Sequence, residues 1–287
     1  MQKLQLLLIK TILVCFQVLP EGSCYFLGKA LGLFWFHIVR YRRSLVFDNL
    51  RQAFRDEKNE KEIYEIARGN FIHYGISFIE FLRLPMLKKE DLKKKLVTSG
   101  TQLIDKALEK KRGLIVVCGH CGNWDFMSIA QALLGYNAHI ITRRAKNKSI
   151  DMYWQKIREE KGVRFLQDRN SIFSILKVLK KNEPICIVID QHMGGNMGVR
   201  VKFFNRPAST MRAVALLARK TNCPVLPIYS WREERTHYFK VYPEIELVNG
   251  ENDEETIVLT TQKYNDSLEK FIRKHPEQWL WIHRRWK

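Results

Sequence analysis

The chain has 287 residues, of which 46% are hydrophobic and 28% are charged, a balance that excludes global disorder. Lys and Arg number 49 against 30 Asp and Glu, so the formal net charge is +19. Such a charge favours a polyanionic partner, which is nucleic acid, an anionic membrane surface or an acidic protein.

Two apolar stretches open the chain, at residues 4–20 and 22–39. Each is slightly shorter than the ~20 apolar residues that a membrane-spanning helix needs. They predict either two amphipathic helices that cap a soluble core, or a membrane anchor in the form of one span or an interfacial helix. A basic cluster after residue 39 favours the anchor. We therefore expect a hydrophobic anchor over residues 1–40 and a second domain over residues 41–287.

Helical and strand-like patterns alternate along the rest of the chain. Apolar spacing predicts helices at 60–82, 124–134, 149–161, 171–181 and 209–221, the last capped by Ser209 and Thr210. Short apolar runs predict strands at 114–118, 138–142, 185–189, 199–204, 225–229 and 239–242. The alternation predicts an α/β fold with a mixed, largely parallel central sheet flanked by helices, behind an N-terminal hydrophobic helical anchor. Functional sites in such folds gather at the carboxyl ends of strands, here after residues 118 and 189.

The segment 119–125, Gly-His-Cys-Gly-Asn-Trp-Asp, follows a predicted strand and precedes a predicted helix. On one continuous helix His120 and Asp125 would point about 140° apart. They meet only if His120 lies on a turn, which Gly119 and Gly122 permit, and Asp125 lies in a helical turn that Asn123 caps. Asp125 would then fix the tautomer of His120, and His120 would act as a general base. The alternative is that both side chains merely cap the turn.

A second chemistry is present in the same segment. Cys118 and Cys121 form a C-x-x-C, the pattern of thiol–disulfide oxidoreductases, and a following helix would lower the pKa of the first thiol. Against this hypothesis, Cys118 ends a strand and the chain is much larger than a thioredoxin unit. A zinc site with His120 would lack a second pair of ligands. The cysteines are scattered, which favours a reducing compartment.

Several blocks of sequence resemble one enzyme family. The segment 119–125 is similar to the H-x4-D/E signature of glycerolipid and lipid A acyltransferases. In the same order, the blocks at 142–147, 190–191, 201–208 and 276–287 resemble the lipid A secondary acyltransferase branch. The resemblance covers nearly the whole chain, and ordered blocks are more specific than a short motif.

The resemblance implies an enzyme at the cytoplasmic face of the inner membrane, whose catalytic domain occupies residues 41–287. It would move a fatty acyl chain from acyl carrier protein to a hydroxyl of a lipid A precursor, an acylated glucosamine disaccharide, without a metal or other cofactor. His120 and Asp125 would be catalytic. The expected substrate-binding residues are Arg143, Asp190, Asn123 and Gly122. Asp125 and Asn205 replace the Glu and Gly that are common in the branch, which leaves the acyl chain length and the acceptor open.

Three alternatives stay open at this point. In the first, the protein is an acyltransferase whose acceptor is another glycolipid or a phospholipid. In the second, it is a thiol–disulfide oxidoreductase acting through Cys118 and Cys121. The third alternative, a nucleic-acid-binding protein, rests on the net charge alone. Basic residues are spread along the chain and form no recognisable binding module, so we expect no nucleic-acid partner.

Overall fold

One largely parallel sheet organises the part of the chain that the computed structural model describes, which is residues 13–142, 148–167 and 171–287. The strands are β1 (Leu96–Ser99), β2 (Leu114–Cys118), β3 (His139–Thr142), β4 (Arg164–Gln167), β5 (Pro184–Val188), β6 (Gly198–Phe203), β7 (Arg206–Met211), β8 (Val225–Glu233) and β9 (Thr236–Val241). The order in the main sheet is β1-β9-β8-β2-β5-β3-β4, and β6 and β7 form a separate antiparallel hairpin. All neighbours in the main sheet are parallel except β8 and β9. The predicted α/β fold with a mixed, largely parallel sheet is confirmed.

Helices cover both faces of this sheet, and further helices, such as the one over residues 21–34, pack on those helices. They are α1 (13–18), α2 (Glu21–Phe34), α3 (Arg43–Phe54), α4 (Glu60–Arg83), α5 (Lys89–Lys95), α6 (Gln102–Glu109), α7 (Trp124–Leu133), α8 (Lys148–Glu160), α9 (Ser171–Lys180), α10 (Ala213–Thr221) and α11 (Asp253–Lys274). Along β2, Ile115 and Val117 join a core with residues of α4, α9, α10 and α11. Leu114 and Val116 join a second core with residues of α6 and α7. A strand covered on both faces is apolar at every position, and β2 fits this rule.

The structure differs from the predicted elements in the region that ends at α10. The helix predicted at 209–221 begins only at Ala213, so the prediction that Ser209 and Thr210 cap it is wrong. Both residues lie on β7, where they pair with β6. The backbone conformation here is thus determined by hydrogen bonding between the two strands of the hairpin, and not by the helix-like spacing of apolar residues. The sequence patterns also missed β1 and β4, because β1 is mostly exposed and neither strand is a continuous apolar run.

The N-terminal helix α2 packs closely on α4 through glycines. A Cβ atom on Gly28 would lie 2.6 Å from the Cα of Ile76, and one on Gly32 would collide with the backbone of Ile72. One side of α2 is therefore buried against α4. Within the described ranges, no helix is both long enough and apolar enough to cross a membrane. Residues 1–12 of the expected anchor lie outside the described residues.

Candidate active site

The turn between β2 and α7 is built as the sequence predicts. Gly122 has a φ of +60°, and a Cβ there would lie 2.7 Å from the carbonyl oxygen of Ser230. Its N–H donates to the carbonyl oxygen of Gln278 at 3.0 Å. Asn123 caps α7, because its Oδ1 accepts the N–H of Phe126 at 3.0 Å. Only glycine fits this turn, because both the positive φ and the close approach oppose a side chain.

His120 lies on this turn and contacts Asp190, which follows β5. Nδ1 of His120 is 2.8 Å from Oδ1 of Asp190, and the backbone N–H of His120 donates to Oδ2 at 2.7 Å. The two residues meet because β2 and β5 are parallel neighbours, so their carboxyl ends lie at one edge of the sheet. The Asp190 side chain is 1% exposed and the imidazole is 21% exposed. Since the carboxylate can only accept, a neutral His120 carries its proton on Nδ1 and leaves Nε2 as an acceptor.

The pair is electrostatically coupled. Burial lowers the pKa of His120, but the charge and hydrogen bond of Asp190, with a smaller contribution from the charge of Asp125, outweigh burial and raise it. Burial raises the pKa of Asp190, yet the charge of His120 and hydrogen bonds from His120 and Trp279 hold that pKa below its usual value. An ionised carboxylate therefore stands behind an imidazole that readily takes up a proton, as a general base requires.

Asp125 has a different partner from the one expected. Its carboxylate forms an ion pair with Arg158 of α8. The prediction that Asp125 fixes the tautomer of His120 is wrong, because Asp190 occupies Nδ1. Asp125 acts on His120 only through its charge. The ring of Trp124 packs edge-on against the imidazole, with a centroid distance of 5.2 Å.

The other expected substrate-binding residues fall into two groups. Gly122 and Asn123 already use their polar groups within the fold: the Gly122 carbonyl bonds Nε2 of His73 at 3.1 Å, and Nδ2 of Asn123 donates to Oε2 of Glu80 at 2.7 Å. These bonds make them scaffold residues of the turn, and a substrate contact by either one stays a prediction. Arg143 lies outside the described residues.

A buried polar network behind the turn was not predicted from the sequence. Oε1 of Glu80 lies 3.0 Å from Nη1 of Arg232 and 3.3 Å from Nε2 of His237. Nη2 of Arg232 donates to Nδ1 of His73 at 3.1 Å, so Nε2–H of His73 is the donor to the turn carbonyl. Burial and then the charge of Arg232 lower the pKa of His73 to about 3, which keeps this imidazole neutral. Burial raises the pKa of Glu80, but the charges of His237 and Arg232 hold it far below its usual value.

The two cysteines of the segment are unsuited to dithiol chemistry. Cys118 and Cys121 are both free thiols. Burial raises the pKa of each thiol well above its usual value, and the charge of Asp190 raises it further. The expected lowering of the first pKa by the following helix is therefore wrong. Because the thiolate is the nucleophile, thiols held neutral are unreactive.

The structure thus places a histidine, held by a buried carboxylate, at the carboxyl edge of a largely parallel sheet, which is an arrangement suited to a general base. The chain belongs to the bacterial lipid A biosynthesis acyltransferase family, whose model matches residues 2–287. It is an acyltransferase, and the predicted family is confirmed.

Individual relatives are distant but cover most of the chain. The chain is 26% identical to a phosphatidylinositol mannoside acyltransferase of Mycobacterium tuberculosis, over 74% of this chain and 67% of the relative. It is 25% identical to the lipid A biosynthesis palmitoleoyltransferase of Escherichia coli, over 94% of this chain and 86% of the relative. It is 26% identical to the lipid A biosynthesis lauroyltransferase of the same organism, over 94% of this chain and 87% of the relative.

Proposed function

We propose that this protein transfers a fatty acyl chain from an acyl-carrier-protein thioester to a hydroxyl of a glycolipid, a lipid A precursor, at the inner membrane. The observation that carries the proposal is the ring of His120. Its Nδ1 is held by buried Asp190, while no described residue hydrogen-bonds to Nε2 and the ring is partly exposed. A base with one nitrogen fixed and the other open can receive the proton of an incoming hydroxyl.

The proposed reaction uses this geometry. Nε2 of His120 takes the hydroxyl proton as the acceptor oxygen attacks the thioester carbonyl carbon. Asp190 stabilises the imidazolium that forms. The tetrahedral intermediate then loses the thiol: the C–S bond breaks, an ester remains, and the proton passes from Nε2 to the leaving sulfur. No covalent acyl-enzyme is formed.

Arg158 is the cation that suits the developing oxyanion. It lies on α8, paired with Asp125 and partly exposed, and Asp125 belongs to the first turn of α7. The positive end of α7 adds to its effect. A preorganised donor of this kind typically contributes ~3–4 kcal/mol to the transition state. We assign to Asp125 the role of holding Arg158, in place of orienting the base.

The choice of substrates rests on charge and on the relatives. The net charge of +19 suits an acidic carrier protein and a phosphorylated glycolipid. The relatives named above act on lipid A or on phosphatidylinositol mannoside, both glycolipids. A lipid A precursor is our first choice, because those relatives align over almost the whole chain.

An exposed apolar surface supports the membrane location. On the side of α2 away from α4 and on the turn after it, large apolar side chains face solvent, among them Phe26, Leu27, Phe34, Ile38 and Val39. Basic residues follow directly at Arg40 and Arg42, as in helices that lie in an anionic membrane interface. We propose that this surface rests in the cytoplasmic leaflet and holds the catalytic domain against it.

Lipid mass spectrometry tests the proposed function. Lipids are compared from cells that carry the gene, lack it, or lack it and express a plasmid copy. We expect loss of one ester-linked fatty acyl chain from lipid A in the deletion strain, and its return with the plasmid. A change confined to mannosylated or other phospholipids would show that one of these lipids is the acceptor and that lipid A is not. Unchanged lipids in all three strains would contradict the proposed function.

A further inference from the structure

The segment after α11, residues 278–286, runs beside the His120–Asp190 pair. Its backbone pairs with the catalytic turn at one place. Cys121 pairs with Trp279 in an isolated antiparallel bridge, and Gly122 donates its N–H to the carbonyl oxygen of Gln278 at 3.0 Å. This pairing places the segment directly against the catalytic turn.

The side chain of Trp279 reaches the buried carboxylate directly. Its Nε1–H donates to Oδ2 of Asp190 at 2.8 Å. The same oxygen accepts the backbone N–H of His120, so Oδ2 has two donors and Oδ1 is left for the imidazole. Indole N–H is a donor only, so this bond fixes which carboxylate oxygen points to the base.

Trp279 is itself held firmly. Its carbonyl oxygen accepts Nδ2 of Asn70 at 2.8 Å and the hydroxyl of Tyr74 at 3.0 Å, both from α4. Its ring packs against Trp281 and Phe203 with centroid distances of 4.6 and 5.5 Å. An indole that cannot move gives its N–H a fixed direction.

We propose that Trp279 is a positioning residue for acyl transfer, whose indole N–H holds the Asp190 carboxylate in the rotation that His120 needs. The proposal rests on the proposed role of His120 as general base. Its consequence is electrostatic as well as geometric. The N–H withdraws negative charge from Asp190, so its loss makes the carboxylate more basic and stabilises the protonated form of His120. The pKa of His120 then rises.

The test replaces only the N–H. Benzothienylalanine, which has sulfur in place of the indole N–H and nearly the same shape, is incorporated at position 279 and separately at position 286. Trp286 is the matched control, because it belongs to the same segment but its Nε1–H donates to the Phe203 carbonyl at 3.3 Å. Trp279→Phe is a second variant. For each protein kcat and kcat/KM for acyl transfer are measured against pH.

We expect substitution at Trp279 to lower kcat about 10- to 100-fold, the range for one lost hydrogen bond to a charged group. The acid limb of the kcat/KM profile should also move to higher pH. The Trp286 control should keep the wild-type limb. A Trp279 variant whose acid limb does not move, whatever its rate, would overturn the proposal and leave only a structural role. Failure of the proposed function would be recognised differently, because His120→Ala would then stay active.

Discussion

Replacing Asp190 by Asn is the most informative single change at this site, because it keeps the shape, removes the negative charge and turns one acceptor oxygen into a donor. Oδ2 of Asp190 accepts two N–H groups, from His120 and Trp279. An amide must place its oxygen there, so its NH₂ faces Nδ1 of His120 in the position of Oδ1. Nδ1 must then accept, which moves the imidazole proton to Nε2. A protonated Nε2 cannot take a proton from the acceptor hydroxyl.

The cost of this wrong tautomer is large. The corresponding change in a Ser-His-Asp protease lowers kcat by about 10⁴-fold. We expect Asp190→Asn to lower kcat by about 10³- to 10⁴-fold, which corresponds to ~4–5 kcal/mol of transition-state free energy. KM should change little, since Asp190 is buried and both of its carboxylate oxygens are hydrogen-bonded within the fold.

The assay is steady-state acyl transfer from an acyl-carrier thioester, with thermal unfolding as a check on folding. Glu183→Gln is the matched control, because it removes the same charge from a carboxylate that pairs with a histidine, His139, at the amino end of β5, away from the base. We expect this control to lose much less activity than Asp190→Asn. If Glu183→Gln is as inactive as Asp190→Asn, or if folded Asp190→Asn is active, the pairing of His120 with Asp190 is not the catalytic arrangement.

Three further changes test separate parts of the account. Cys118→Ser combined with Cys121→Ser should keep substantial transferase activity, whereas a folded but inactive double variant would revive dithiol chemistry. Glu80→Gln should lower the free energy of unfolding at pH 7 by roughly 2–3 kcal/mol, less than for a fully buried ion pair because this side chain is 23% exposed. The pKa of Glu80 is lower in the folded protein than in the unfolded chain, so ionised Glu80 stabilises the fold above the unfolded pKa of ~4.3, and this stabilisation is lost as pH falls below it. In denaturant unfolding, the free energies of unfolding of wild type and Glu80→Gln should therefore become equal in acid. Phe26→Glu with Phe34→Glu should move protein from the membrane pellet to the supernatant while activity on a short-chain soluble acceptor is kept; retention in the pellet would place the membrane contact elsewhere.

The parts of the site that could be predicted are those with local causes. A fully apolar run predicts β2, and Gly122 and Asn123 predict the turn and the cap that follow it. The carboxyl-end rule also draws attention to Asp190, because it follows another apolar strand. In each case the sequence within a few residues determines the local structure.

The partners of these residues could not be predicted, because they come from distant parts of the chain. Spacing within one segment favoured Asp125 as the partner of His120, yet parallel pairing of β2 with β5 brings Asp190 to the imidazole instead. Glu80 and Arg232 stand on α4 and β8, and no local pattern links them. Their ion pair depends on how a helix packs against a sheet, which one sequence does not specify.

The transfer reaction itself, measured with and without His120, tests the central claim most directly. Purified wild-type protein and His120→Ala are each incubated with an acyl-carrier thioester and a glycolipid acceptor. The masses of the acceptor and of the intact protein are then measured by mass spectrometry. We predict that wild-type protein adds one fatty acyl ester to the acceptor, that the protein mass does not change, and that folded His120→Ala is slower by about 10²- to 10⁴-fold. Near wild-type turnover by His120→Ala, or an acyl group bound covalently to the wild-type protein during turnover, would contradict the account.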